Sequence, residues 1–122
     1  MQVDTYYYTT PSGKNPVKEF IIKQNEETQE KILEKIRQLN KYGFQLSKSD
    51  LKKISSTKNL WELRIKTKSG IYRLFIAKLG KKTVIILLHA IHKKTQKTPQ
   101  KDIKIALKRL QILKKQGIIW QK

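Results

Sequence analysis

The sequence predicts an α+β fold: a first strand, two helical segments, three successive strands and a closing helix. Two patterns carry that expectation. Residues 60–89 form three strand-length blocks, Leu60–Lys66, Ile71–Ala77 and Thr83–His89, separated by the turn-forming stretches Lys68-Ser69-Gly70 and Leu79-Gly80-Lys81-Lys82. Residues 16–42 and 99–116 instead place apolar residues at the three- and four-residue spacing of amphipathic helices. A length of 122 residues fits one domain over residues 1–122, with 117–122 as a short tail.

Taken in order, the Tyr- and Thr-rich stretch Val3–Thr10 suits a strand, ended by Pro11-Ser12-Gly13. Asn15-Pro16 is a helix start, Asn as N-cap and Pro at the first helical position. Val17, Phe20 and Ile21 mark a short apolar face. A break near Gln24-Asn25 precedes a second face of Thr28, Ile32, Ile36 and Leu39, so a helical hairpin is expected rather than one kinked helix. Gly43 is placed to end it. Phe44–Asn59 reads as irregular, with Leu46, Leu51 and Ile54 as anchors.

The three strands should form an antiparallel meander. Period two puts Trp61, Leu63 and Ile65 on one face and Glu62, Arg64 and Lys66 on the other. In the second strand Tyr72, Leu74 and Ile76 oppose Arg73, Phe75 and Ala77. The third is apolar on both faces, as a central strand is. A cationic loop is expected over His92–Pro99. Thr98 and Pro99 then serve as N-cap and first residue of a last helix, striped by Ile103, Ala106, Leu107, Leu110 and Leu113 and ended by Gly117. Ile118-Ile119-Trp120 is an apolar tail expected to dock on the domain.

The net charge of +19 is unevenly spread. Residues 1–50 carry eight Lys/Arg and seven Asp/Glu; residues 51–122 carry twenty and two, Glu62 and Asp102. A genome rich in A and T could inflate the lysine count, but it does not explain the loss of acids after residue 50. The asymmetry points to a polyanionic partner, nucleic acid first. The absence of cysteine excludes disulfides and thiolate metal sites, and two histidines with few acids argue against a metal centre or any other cofactor. No run approaches 18 apolar residues and Met1-Gln2-Val3-Asp4 lacks the features of a secretory signal, so a soluble cytoplasmic protein is expected, with no membrane partner.

Arg64 and Arg73 stand out in a chain with 24 lysines and four arginines. A guanidinium is a planar, permanently charged fork that grips phosphate in two places. Pairing across the Lys68–Gly70 turn makes the two neighbours, and adjacent cations repel unless an anion lies between them; Glu62 can supply part of that charge, and salt bridges to it are the plainer reading. His89 and His92 are candidates for proton transfer near neutrality, although a strand-end histidine is commonly a hydrogen-bonded core residue. Lys93 and Lys94 could bind phosphate or stabilise a phosphorane. Lys52, Lys53, Lys66, Thr95 and Lys97 are candidate RNA or phosphate contacts, against the plainer reading of a solvated rim. The missing acidic ligands disfavour metal-dependent nuclease chemistry. Metal-free RNA cleavage, in which the ribose 2′-hydroxyl attacks its own phosphodiester, is what these residues could serve.

The ordered set Leu60-Trp61-Glu62-Leu63-Arg64, Tyr72-Arg73-Leu74-Phe75, Leu87-Leu88-His89, Lys93-Lys94-Thr95-Gln96-Lys97-Thr98-Pro99 and Ala106-Leu107-Lys108-Arg109 resembles the RelE/HigB superfamily, and within it the phage-derived HigB-like toxins of type II toxin–antitoxin modules. The resemblance covers roughly residues 3–113. It implies a βααβββα microbial RNase-like fold with an antiparallel-rich sheet packed on helices. It also implies a toxin that enters the ribosome, cleaves mRNA during translation without a metal, and is neutralised by an antitoxin, usually a helix-turn-helix protein. By the same resemblance Arg64, Arg73, Lys93 and Lys94 match residues that bind and polarise the scissile phosphate. RelE-like enzymes often use a tyrosine near the C-terminus, and none follows Tyr72 here; the histidine that HigB-like enzymes often use could be His89 or His92. Two other functions fit the same features: a ParE-like toxin that inhibits gyrase without nuclease activity, and a non-catalytic nucleic-acid-binding domain of phage origin.

Overall fold

In the computed structural model, residues 3–54, 57, 59–79, 84–93, 97–115 and 120–121 are described. They form, in chain order, β1 (Asp4–Tyr8), α1 (Pro16–Ile22), α2 (Glu26–Tyr42), β2 (Leu51–Lys53), β3 (Trp61–Thr67), β4 (Gly70–Leu79), β5 (Val84–Lys93), α3 (Gln100–Lys115) and β6 (Trp120–Gln121). The βααβββα order is present in this α+β fold, with β2 and β6 added. One mixed sheet runs β2-β3-β4-β5-β1-β6. Only β1 and β5 are parallel among the described pairings, Asp4 opposite Val84; the other neighbours are antiparallel.

Local chemistry sets the helix limits. The Asn15 side chain accepts from the Lys18 amide at 3.2 Å with Pro16 leading α1, and Asn25 accepts from the Thr28 amide at 2.8 Å to start α2. Lys23–Asn25 therefore separates two helices, the expected hairpin. At Gly43 (φ 59°) the amide donates to the Leu39 carbonyl and closes α2.

The sheet is buried on both faces. Val17, Ile21, Ile32, Ile36 and Leu39 of α1 and α2 pack against Leu63, Ile65, Tyr72, Leu74, Ile85 and Leu87. On the other side Ile103, Ala106, Leu110 and Leu113 of α3 pack against Leu60, Phe75, Ile86, Leu88 and Ile91. Among the described residues, no helix is long and apolar enough to cross a membrane.

Several expectations need correction. Phe44–Asn59 is not wholly irregular: a 3-10 turn spans Gly43–Gln45, and β2 pairs with β3, Lys52 opposite Glu62. The strand expected to stop at His89 continues to Lys93, so His92 and Lys93 belong to β5 and not to a loop. The helix after it begins at Gln100, and its first amides donate to the Pro99 carbonyl, from Asp102 and Ile103 at 3.2 Å each. Thr98 is thus not its N-cap. Residues 120–121 of the tail pair with β1, Tyr8 opposite Trp120, which places part of the tail on the domain's own sheet. Gly80–Lys82, Lys94–Gln96 and Gly117–Ile119, also read for turns, sites and the tail, lie outside the described residues.

A β-bulge in β5 matters most for the site. Phe75 pairs with His89 but Ile76 with Leu87, leaving Leu88 as the extra residue. Leu87 faces α1 and α2, Leu88 faces α3, and Ala90 again faces α1 and α2. Without the bulge, period two would send His89 to the face of Leu87. With it, His89 shares the α3 face with Glu62 and Arg73.

Candidate functional site

The hairpin of β3 and β4 places Arg64 and Arg73 directly opposite each other. Alternation assigns both, with Glu62, to one face, and the chain's last helix covers that face. Glu62 is 1% exposed and Arg73 0%. The Glu62 carboxylate lies between the two guanidinium groups, accepting from Arg64 Nε and, at 3.3 Å to each oxygen, from Arg73. Thr98 completes the cluster: its hydroxyl donates to Glu62 Oε2 at 2.5 Å and accepts from Arg73 at 3.1 Å. Two like charges on adjacent strands are held together because a buried anion sits between them.

Above this cluster opens a cleft of about 220 Å³, lined by Lys52, Lys53, Glu62, Lys97, Thr98 and Gln100, with Ile54 and Ile103 beside them. Lys52, Lys53 and Lys97 are exposed. Glu62 is the only carboxylate among the described lining residues, and its charge is engaged by the arginines. The first turn of α3 begins at the same cleft with Gln100, so the positive end of the helix dipole adds to the three ammonium groups. The arrangement suits a phosphate group: long flexible cations at the rim, and beneath them Thr98 and a Glu62 carboxylate whose charge Arg64 and Arg73 balance from behind.

His89 lies in a separate network on the same face. One ring nitrogen, Nε2, is 2.8 Å from Asp102 Oδ1, and Nδ1 is 3.2 Å from Arg109, which also donates to the Leu88 carbonyl at 2.8 Å. That carbonyl belongs to the bulge residue. Because an arginine can only donate, Nδ1 accepts and Nε2 carries the proton toward Asp102. Burial pushes the imidazole below its ordinary value of 6.5, against the hydrogen bond to Asp102, while the Arg109 charge lowers it further. Phe75 stacks on the ring at 5.6 Å. His89 is a neutral, fully engaged core histidine that fastens α3 to the sheet.

His92 lies on the opposite face. It stacks on Tyr72 at 4.0 Å between centroids and 1° between planes, with Nε2 3.0 Å from the Ser69 carbonyl. Tyr72 belongs to the core beneath α1 and α2. The two histidines are therefore not brought together. Lys93 is exposed at the end of β5, opposite Ile71. Lys66 is exposed too, and borders a different cleft with Glu30, Glu34, Lys35 and Asp50. Lys94 and Thr95 lie outside the described residues.

Of the sequence candidates, Arg64, Arg73, Lys52, Lys53 and Lys97 gather at one place; His89 sits nearby in its own network; His92, Lys66 and Lys93 do not join them. Sequence reasoning passed over Thr98 as a cap, and gave Asp102 and Arg109 no site role. A signal was present: so few acids after residue 50 needed polar partners, and Glu62 finds Arg64 and Arg73 while Asp102 accepts from His89.

What the fold and the cluster define is an α+β protein with a cationic cleft beside a Glu62 carboxylate that joins buried Arg73 to partly exposed Arg64. A family model described as phage derived protein Gp49-like (DUF891) matches residues 19–111, from within α1 to within α3. The chain belongs to this Gp49-like family, which is associated with toxin–antitoxin systems. The match takes in every residue of the cleft. No curated protein matches the chain.

Proposed function

We propose that this protein is the toxin of a type II toxin–antitoxin module, a ribosome-dependent, metal-independent endoribonuclease that cuts mRNA during translation. The observation that carries the reading is the cleft of Lys52, Lys53 and Lys97 above the Glu62–Arg64–Arg73–Thr98 cluster. In RNA cleavage of this class the 2′-hydroxyl gives its proton to water as its oxygen attacks phosphorus, the bond to the 5′-oxygen breaks and that oxygen takes a proton from water, and negative charge builds on the phosphoryl oxygens between. Preorganised cations at that charge lower the barrier, each such donor being worth about 10²–10³ in rate in other enzymes. Lys52, Lys53, Lys97 and the partly exposed Arg64 bind the phosphate. Arg73, with no exposed surface, acts as a positioning residue: it holds Glu62 and Thr98, and through them Arg64. His89 anchors α3 and does not exchange the proton itself. DNA lacks the internal nucleophile and escapes cutting. The cytoplasmic partners under this reading are the ribosome with its mRNA and a cognate antitoxin, a helix-turn-helix protein.

The test is 5′-end mapping of cellular mRNA after brief induction, comparing the natural chain with a Lys52→Gln/Lys53→Gln/Lys97→Gln variant. Cuts in register with codons from the first, strongly reduced in the second, are expected. Growth arrest with intact mRNA would instead favour a protein-binding toxin such as a gyrase inhibitor.

A further inference from the structure

On the other side of β2 lies a second, larger cleft of about 910 Å³ whose lining includes Phe44, Trp61, Lys48, Lys52, Lys53 and Lys78. Five of its described lining residues are cations, counting Arg64, and none is a carboxylate. Phe44 and Trp61 form a tilted aromatic pair, centroids 4.8 Å apart and planes at 58°. Each ring carries an ammonium group above it, Lys53 at 5.7 Å from the indole and Lys78 at 5.5 Å from the phenyl ring. The neighbouring cleft beside α2 differs: it mixes Glu30, Glu34 and Asp50 with its cations.

We infer that this aromatic–lysine cleft seats an unpaired nucleobase of a single-stranded nucleic acid whose adjoining phosphate lies in the Lys52–Lys53–Lys97 cleft. The inference rests on the reading of the chain as an RNA-binding toxin and adds to it the place where the strand flanking the cut is held. Three features favour a nucleic acid over other anions. Lys52 and Lys53 border both clefts, so one strand can cross β2 without leaving the cations. The volume exceeds what a bare phosphate needs. Ring faces topped by flexible cations are where a base stacks while the displaced ammonium groups move to its phosphates. Stacking tolerates any base, so the cleft adds affinity without fixing sequence.

Trp61 reports on its own occupancy. With Trp120→Phe as background it is the chain's single tryptophan, and its emission is followed while single-stranded hexadeoxyadenylate is added to the whole protein. Quenching is expected, with binding weakened about tenfold by Phe44→Leu, which keeps the apolar volume and removes the ring. Lys48→Gln/Lys78→Gln, with Lys48 exposed and Lys78 half-buried, is expected to weaken binding and flatten its salt dependence, and keeps the proposal testable where Phe44→Leu does not fold. Inorganic polyphosphate of equal charge binding as tightly as the oligonucleotide would overturn the inference. So would an acidic peptide with one aromatic side chain that quenches Trp61 at lower concentration. The probe has no 2′-hydroxyl, so the two readings fail separately: quenching without mRNA cutting overturns the nuclease and leaves the base cleft, and cutting without quenching does the reverse.

Discussion

Thr98 donates to Glu62 across 36 residues of sequence, joining the approach to α3 to the second residue of β3. The bond sits at the centre of the site: Glu62 carries both arginines, and Thr98 carries the chain segment that closes the cleft over them. Four residues later Asp102 makes the second attachment, to His89. The start of α3 is thus pinned to β3 and β5 by two part-buried polar contacts.

Glu62→Gln should be among the most damaging single changes. It leaves two buried or nearly buried guanidinium groups without their anion, a loss of about 3–5 kcal/mol when one partner of a buried pair is removed. Urea unfolding measures it. Combining Glu62→Gln with Arg64→Met should cost less than the sum of the two single changes, because the groups interact directly.

Stability should fall on acidification through a window below pH 6.5. Burial holds the folded-state value of His89 below 6.5, so as pH falls the unfolded chain takes up the proton first. The contribution is full above 6.5 and is lost as pH passes down through the lowered native value. Unfolding free energy measured between pH 7.5 and pH 5 should drop, and His89→Gln should flatten that part of the profile. The same His89 resonance, followed by NMR, should titrate below 6.5.

How far these interactions could be foreseen differs from element to element. Asn15-Pro16, Gly43 and the alternation of residues 61–67 are local signals, and the structure follows them. The opposition of Arg64 and Arg73 was also legible, since a two-residue turn leaves the hairpin little choice of register. The bulge was not: Leu87 and Leu88 are both apolar, so nothing in the pattern marks which one is extra, and the face of His89 hangs on that choice. Three residues of β2 carry no periodicity to detect. Thr98 before Pro99 has the form of a helix cap, and its hydroxyl is drawn away by Glu62, a tertiary competitor that a local motif does not reveal.

Lys52→Gln, Lys53→Gln and Lys97→Gln alter exposed side chains and should leave thermal stability within about 0.5 kcal/mol of the natural chain. RNA affinity should fall with each. The slope of log K against log salt should shrink by about 0.7 for every phosphate of a single strand that the variant no longer neutralises. Filter binding at several salt concentrations reads both quantities.

Gly70→Ala should destabilise by on the order of 2 kcal/mol. Gly70 sits at φ 133°, and a Cβ there would come within 2.9 Å of both His92 Nε2 and the Lys93 carbonyl oxygen. Thermal denaturation should show the loss, together with weaker stacking of His92 on Tyr72 visible as a change in the near-ultraviolet circular dichroism.

The place of β1 carries a consequence for how the protein comes into being. Its sheet neighbours are β5 and β6, both synthesised long after it, and its first partner, Val84, is eighty positions away from Asp4. Bringing such distant segments together is the slow part of assembling a sheet. During translation the first strand therefore waits, unpaired, until most of the chain has left the exit tunnel. Lys97, Thr98 and the start of α3, which complete the cleft, emerge later still. A nascent copy is thus unable to form the cleft on the ribosome that is making it before Lys97–Ile103 have left the exit tunnel.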